Sequence, residues 1–278
     1  MESTLDRTIK LLDHGYLKLL DVMGSDEDIV YAARISTRGL RSKNDDRRLL
    51  DYLIRHDHLS PLEMAELKFE VKAPIFVARQ WFRHRTGNYN EISGRYTRLP
   101  EDIYIPENLR GQDHVNRQGS VEGTPGDLEH LEEAYREHVV RSRELYERLL
   151  EHGVARELAR AILPLSQYTV FIYKSDLRNL LHFLKLRLDS HAQYEIRVYA
   201  EAIEGIVARL FPLTHEAWRR NVRDGKRLSS LELKALRDSI RIDDLLSRLD
   251  ELIRDHELSP SLKRELLEKL GVNHDIVL

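Results

Sequence analysis

The 278-residue chain has no cysteine, and that absence excludes disulfides, thiolate metal sites and any thiolate nucleophile. It has no apolar run approaching the ~18 residues of a membrane span. It also lacks an excess of one charge: 44 lysines and arginines face 47 aspartates and glutamates, a net charge of −3. With no overall basic field, neither nucleic acid nor a membrane is an expected partner. Met1 leads into a polar, mixed-charge segment rather than an apolar leader, so a cytoplasmic protein is expected. There is no G-x-G-x-x-G after a strand and no Walker loop, so any dinucleotide is held without the usual glycine fingerprints. Internal repeats and low-complexity tracts are absent as well. What the chain does have is 41% hydrophobic and 33% charged residues, enough for a core in one or two domains.

The pattern predicts a strand over 15–23, a helix from Asp26 (as its N-cap) to Ile35, and a second helix over 45–56 with Leu49, Leu50, Leu53 and Ile54 on one face. Ser60-Pro61 reads as a helix start. The alternation Leu67, Phe69, Val71 predicts a half-buried strand, and Pro74 opens an apolar helix that ends in a polar turn over 83–94. A glycine-rich loop follows over 107–127. Helices are expected over 127–152, 154–163, 176–188 and 190–210, with a short β-branched run at 169–173. Beyond 220, leucine periodicity predicts a helical extension with Gly271 as a C-cap.

The most informative stretch runs from Arg79 to Arg98. It holds Arg79, Arg83, Arg85, Arg95 and Arg98 against a single acid, Glu91. Guanidinium forks match phosphate geometry, with charge-assisted bonds worth ~1.5–3 kcal/mol each. The competing reading is a solvated face of surface ion pairs, worth ~0–1 kcal/mol each. A second cationic cluster contains Arg156, Arg160, Lys174, Arg178, Lys185 and Arg187. Arg160 and Arg187 sit beside apolar helix positions, which points their heads into a cleft or, alternatively, along a helix edge. His56-Asp57-His58 and Glu63 could be read as metal ligands of a helical phosphohydrolase, although no second His/Asp pair stands at ligand spacing. A nucleotide-binding module using the arginine turn without catalysis is the other alternative.

Arg83-His84-Arg85, seven residues, then Ser93 resembles the R-H-R-x7-S signature of the flavin-dependent thymidylate synthases. The likeness extends through Asn90-Glu91-Ile92-Ser93-Gly94-Arg95-Tyr96, the segment 74–82, and Leu186-Arg187-Leu188-Asp189-Ser190-His191-Ala192-Gln193. It spans roughly residues 13–220. The resemblance implies an α+β fold with a central, mostly antiparallel sheet flanked by helices, a domain over 1–220 and a helical C-terminal extension over 221–278. It further implies a homotetramer with active sites at subunit interfaces that makes dTMP from dUMP. The carbon would come from methylenetetrahydrofolate and the reducing equivalents from NADPH through FAD.

On matching positions, dUMP would be held by Gln80, Arg83, Glu91, Ser93, Gly94, Arg95, Arg160 and Arg187. FAD would lie against Ser36, Ser60, Glu63, Arg83, His84, Arg85, Asn90, Glu91, Asp176, Arg178, His182 and His191, with His58 nearby. No metal is implied. Asn88 and Asp176 depart from the family's usual serine and asparagine. Because the chain has no thiolate to add to uracil, the resemblance makes Arg187 the activating group and Ser93 a phosphate ligand rather than a nucleophile.

Overall fold

The computed structural model describes residues 8–35, 46–114, 119–121 and 129–271. Ser36, an expected flavin contact, lies outside them. In chain order the elements are β1 (Thr8–Leu11), β2 (Gly15–Met23), α1 (Asp26–Ile35), α2 (Asp46–Arg55), a 3-10 turn (Ser60–Met64), β3 (Glu66–Pro74), α3 (Ile75–Trp81) and β4 (Asn88–Glu91). Then come the short strands β5 (Gly111–Gln112) and β6 (Ser120–Val121), α4 (Glu129–Glu151), α5 (Arg156–Ala159), a 3-10 turn (Arg160–Ile162), β7 (Tyr168–Asp176), α6 (Leu177–Arg187) and α7 (Tyr194–Leu210). The chain continues through α8 (Pro212–Trp218), a π-turn (Arg219–Arg223), α9 (Ser230–Ser239), α10 (Ile242–Asp255) and α11 (Ser261–Leu270). By packing, these form two units: 1–24 with 62–206, and 25–61 with 207–278.

The first unit is built on a five-stranded sheet of order β1-β2-β3-β7-β4, antiparallel at every pairing. This is the α+β class expected. Alternation along the strands buries Leu17, Leu19, Leu67, Phe69, Val71, Phe171 and Tyr173 on one face. Trp81, fully buried at the end of α3, anchors that core. Its ring lies 4.8 Å from Phe183, 5.5 Å from both Phe171 and Tyr173, and 5.8 Å from Tyr199. The β-branched run expected at 169–173 is the middle of β7, which carries β3 on one side and β4 on the other.

The polar turn expected over 83–94 contains a strand instead. Asn88, Asn90 and Glu91 have no intrinsic strand preference, and the free edge of β7 supplies the hydrogen bonds that make them one. The helix expected over 154–163 shortens to the four residues of α5 and a 3-10 turn.

In the second unit, α2 buries Leu50, Leu53 and Ile54. Asp26 is not the N-cap of α1; Ser25 is, its Oγ accepting from Asp28 N at 3.3 Å. The buried Asp26 carboxylate instead accepts from Leu213 N (2.8 Å), Thr214 N (3.1 Å) and Thr214 Oγ1 (2.6 Å), and so caps α8. The C-terminal helices form as expected, and Gly271 ends α11 with a left-handed φ of 66°.

Candidate functional site

Pro74 leads into α3, whose apolar side ends at Trp81. The chain then turns tightly, with Arg83 N donating to Gln80 O (3.3 Å) and His84 N to Trp81 O (2.9 Å). The Tyr89 hydroxyl donates to His84 O at 2.8 Å and fastens the turn from β4. Gly87 permits this closure, because a Cβ there would lie 2.5 Å from the Tyr173 ring. As a result His84 is half-buried while Arg83 and Arg85 are exposed. Arg79, Arg83, Arg85 and Arg160 form no ion pair with any described residue, whereas Arg95 and Arg98 pair with Glu157 (3.5 Å) and Glu147 (3.1 Å). A face of surface ion pairs therefore does not account for the RHR arginines.

Across the unit, α6 brings Arg187 to His84. Arg187 Nε donates to His84 Nε2 at 3.0 Å. Burial, reinforced by the charges of Arg187 and His182, pushes the His84 pKa down to about 4. His84 is thus neutral at pH 7, and because Nε2 accepts, the proton resides on Nδ1. Burial also lowers the pKa of Arg187, which remains a cation at any pH of interest. One guanidinium N–H is held by His84, leaving four donors on Arg187.

His84 has a pH signature. Its folded pKa lies below the unfolded value of about 6.5, so the unfolded chain binds more protons as the pH falls. Its effect on stability is absent above about 6.5 and becomes increasingly unfavourable down to about 4. An NMR titration of His84 is expected to have its midpoint near 4. A midpoint near the free-imidazole value would contradict this environment.

Arg187 lines a cleft of about 500 Å³ together with Gln80, Lys185, Leu186, Asp189, His191, Ala192 and Gln193. Gln80 donates to the side-chain oxygen of Gln193. Asp189 Oδ1 fixes His191 through its backbone N (2.8 Å) and Nδ1 (2.9 Å). Gln193 and Asp189 were not among the expected site residues. The only trace of them in the sequence is the segment 186–193, which carries part of the resemblance.

The remaining expected dUMP ligands form a second group. Glu91 accepts from Thr169 Oγ1 at 2.7 Å, and Ser93 Oγ accepts from Arg95 N at 3.3 Å. Gly94 is buried against Arg160, which lies in the 3-10 turn. Arg160 is exposed and does not line the Arg187 cleft, because its helix stops after Ala159 and leaves its arm lying over Gly94. A Cβ on Gly94 would sit 3.1 Å from Arg160 Cδ and 3.3 Å from Leu99 Cγ. Gly94→Ala is expected to displace the arginine, raising the KM for the nucleotide several-fold with little change in kcat. Unchanged steady-state kinetics would separate Arg160 from binding.

Among the expected FAD ligands, Arg178 and His182 lie one turn apart on the exposed side of α6, and Glu63 pairs with Arg178. Asn90 is exposed on β4. Both oxygens of Asp176 are engaged by Asn179, from its N (2.9 Å) and Nδ2 (2.6 Å), so the residue caps α6. Guanidiniums at 83 and 85 that pair with no described residue, and exposed amides at 88 and 90, are the donor set an anionic, hydroxyl-rich dinucleotide requires, so these residues fit the flavin cofactor. In the second unit, Ser60 opens a 3-10 turn, and the exposed His58 ring lies 5.8 Å from Tyr52. The His56 ring lies tilted against Tyr52 with centroids 4.4 Å apart and meets Glu265 at 3.2 Å. Among the described residues, no three His, Asp or Glu side chains are grouped to hold a metal.

The model of the thymidylate synthase complementing proteins matches residues 18–213. A flavin-dependent thymidylate synthase of Thermus thermophilus is 49% identical, over 95% of this chain and 96% of its own. Another from Rickettsia prowazekii is 41% identical over 98% and 95%. A solved UMP/dUMP methylase, PolB from Streptomyces cacaoi bound with 5-Br UMP, superposes with a TM-score of 0.69 at 37% identity, covering 77% of this chain and 98% of that one. Fold and sequence together place the protein among flavin-dependent enzymes of the methyltransferase class. The chain belongs to the flavin-dependent thymidylate synthase family. That membership replaces the phosphohydrolase and the non-catalytic binding readings.

Proposed function

We propose that the protein methylates dUMP to dTMP, with methylenetetrahydrofolate as carbon donor and NADPH as reductant through FAD. The carrying observation is that Arg187, held by His84, stands on the wall of a cleft. A neutral His84 fixes Nε and turns the remaining guanidinium donors outward. Set against the N3/O2 edge of uracil, they stabilise negative charge developing there and raise electron density at C5. Gln80, braced by Gln193, orients the sugar together with Glu91. Arg83, Ser93, Gly94, Arg95 and Arg160 bind the phosphate. Ser93, whose Oγ accepts from Arg95 N, acts as a ligand, not a nucleophile. FAD, held by Glu63, Arg83, His84, Arg85, Asn90, Glu91, Asp176, Arg178, His182 and His191, supplies two-electron redox chemistry when bound.

The separation of the Gly94–Arg160 group from the Arg187 cleft supports a site completed between copies, in a homotetramer. The family match ending at 213 supports a catalytic domain over 1–220 and an extension over 221–278. We place the reaction in the cytoplasm, where NADPH and folate are held; no helix among the described residues is long and apolar enough to cross a membrane. The test is the visible spectrum and turnover of the purified protein. A flavin absorbance bleached by NADPH, with dTMP formed on adding dUMP and the folate donor, is expected. A colourless protein, or one that bleaches and forms no dTMP, overturns the reading.

A further inference from the structure

The turn carrying His191 and Ala192 borders two cavities. These two residues line the Arg187 cleft and also a larger cavity of about 1020 Å³ in the same unit, whose other walls have no role in the reaction described above. Those walls come from the β1–β2 turn, the segment 104–110, Gly119 and Ser120, α4 and the start of α7.

The charges facing this space are unevenly committed. Arg110 donates to the buried Glu195, which also accepts from the Tyr104 hydroxyl at 3.0 Å. Asp13 is occupied by the Tyr168 hydroxyl and by Ile105 N. Arg197 donates to Ser190 O at 3.0 Å and lies 3.7 Å from Glu201. Arg136 has no hydrogen bond or ion pair with any described residue, and neither has Glu107. The Arg110 guanidinium lies over the Tyr194 ring at 5.1 Å from its centroid and that of Arg197 at 6.0 Å, which gathers positive charge at this wall.

We infer that this cavity takes the anionic tail of a co-substrate whose reactive ring occupies the cleft beside Arg187, with Arg136 and Arg197 receiving carboxylates. The folate donor has that form: its aminobenzoyl-glutamate end joins an aromatic ring to two carboxylates. The adenosine 2′-phosphate end of NADPH shares the same chemistry, a planar group beside a multiple anion. The inference rests on the proposed function and specifies where one of its substrates extends.

The experiment uses the full-length flavoprotein with Arg136→Ala and Glu107→Gln, substitutions of a cation and an anion that no described residue pairs. Removing one charge-assisted contact is worth roughly tenfold in affinity. Arg136→Ala is expected to raise the KM for one co-substrate about tenfold, with the KM for dUMP and kcat within about twofold. Glu107→Gln is expected to lower that same KM. Aminobenzoyl-glutamate and adenosine 2′,5′-bisphosphate, used as inhibitors, identify the tail: competition with the folate donor by the first assigns the folate, competition with NADPH by the second assigns the nicotinamide substrate. If the wild type turns over while neither variant moves either KM, and neither fragment competes, the inference is overturned. A wild type that makes no dTMP sinks the proposed function instead.

Discussion

Arg187→Ala is expected to reduce dTMP formation by at least about 10²–10³-fold while the protein stays yellow. That magnitude is typical for deleting one preorganised donor aimed at developing charge. Arg187 is half-buried and held by a single 3.0 Å bond to His84, so its removal leaves no unpaired buried anion and the fold tolerates it. The loss should fall mainly on kcat, because the negative charge on the pyrimidine is greatest in the transition state. Arg187→Lys would keep the charge but not the fork, and is expected to recover only part of the rate. His84 supplies an internal check: with the guanidinium gone its pKa should rise, yet stay below that of free imidazole, since burial is the larger cause. Full activity in the alanine variant would remove Arg187 from pyrimidine activation. Loss of the flavin colour would make it a cofactor ligand instead.

Asp51→Ala carries the largest expected cost in stability. The Asp51 side chain is 2% exposed and accepts from Arg55 Nη1 (2.6 Å), Arg220 Nη1 (2.9 Å) and Asn221 Nδ2 (2.8 Å). Arg55, itself 6% exposed, also meets Glu265 on α11 at 2.8 Å. Removing the central carboxylate breaks a buried ion pair and leaves Arg55 with Glu265 and Arg220 with Glu216 as their remaining acidic partners, a loss that costs about 3 kcal/mol. The exposed Arg141–Glu137 pair is the control, where Arg141→Ala should cost no more than about 0.5 kcal/mol. Chemical unfolding followed by circular dichroism measures both. Equal effects would mean that burial does not set the strength of the network. The network also gives the C-terminal helices a physical attachment, since Glu265 reaches the end of α2 that leads into His58.

The cationic character of the RHR turn was legible because five arginines against one acid within twenty residues is a local property of composition. The long helices and β2, β3 and β7 were legible because apolar spacing reports which face is buried. β4 was not, since its polar residues become a strand only by pairing with β7, eighty residues further on. Asp26 was misassigned for a related reason: a carboxylate before a helix reads as that helix's cap, and only the packed unit shows it holding α8 instead.

By itself, the amino-acid order determined the family, the α+β class, the absence of thiolate chemistry and the residue types available to a nucleotide and a flavin. Tertiary structure decided which of those residues meet. It set Arg187 on His84 across 103 residues of chain, braced Gln80 with Gln193, laid Arg160 over Gly94, and gave Asp176 to a helix cap. Side-chain identity is written locally. Proximity, burial and the protonation state that follows from burial arise only when distant segments pack together.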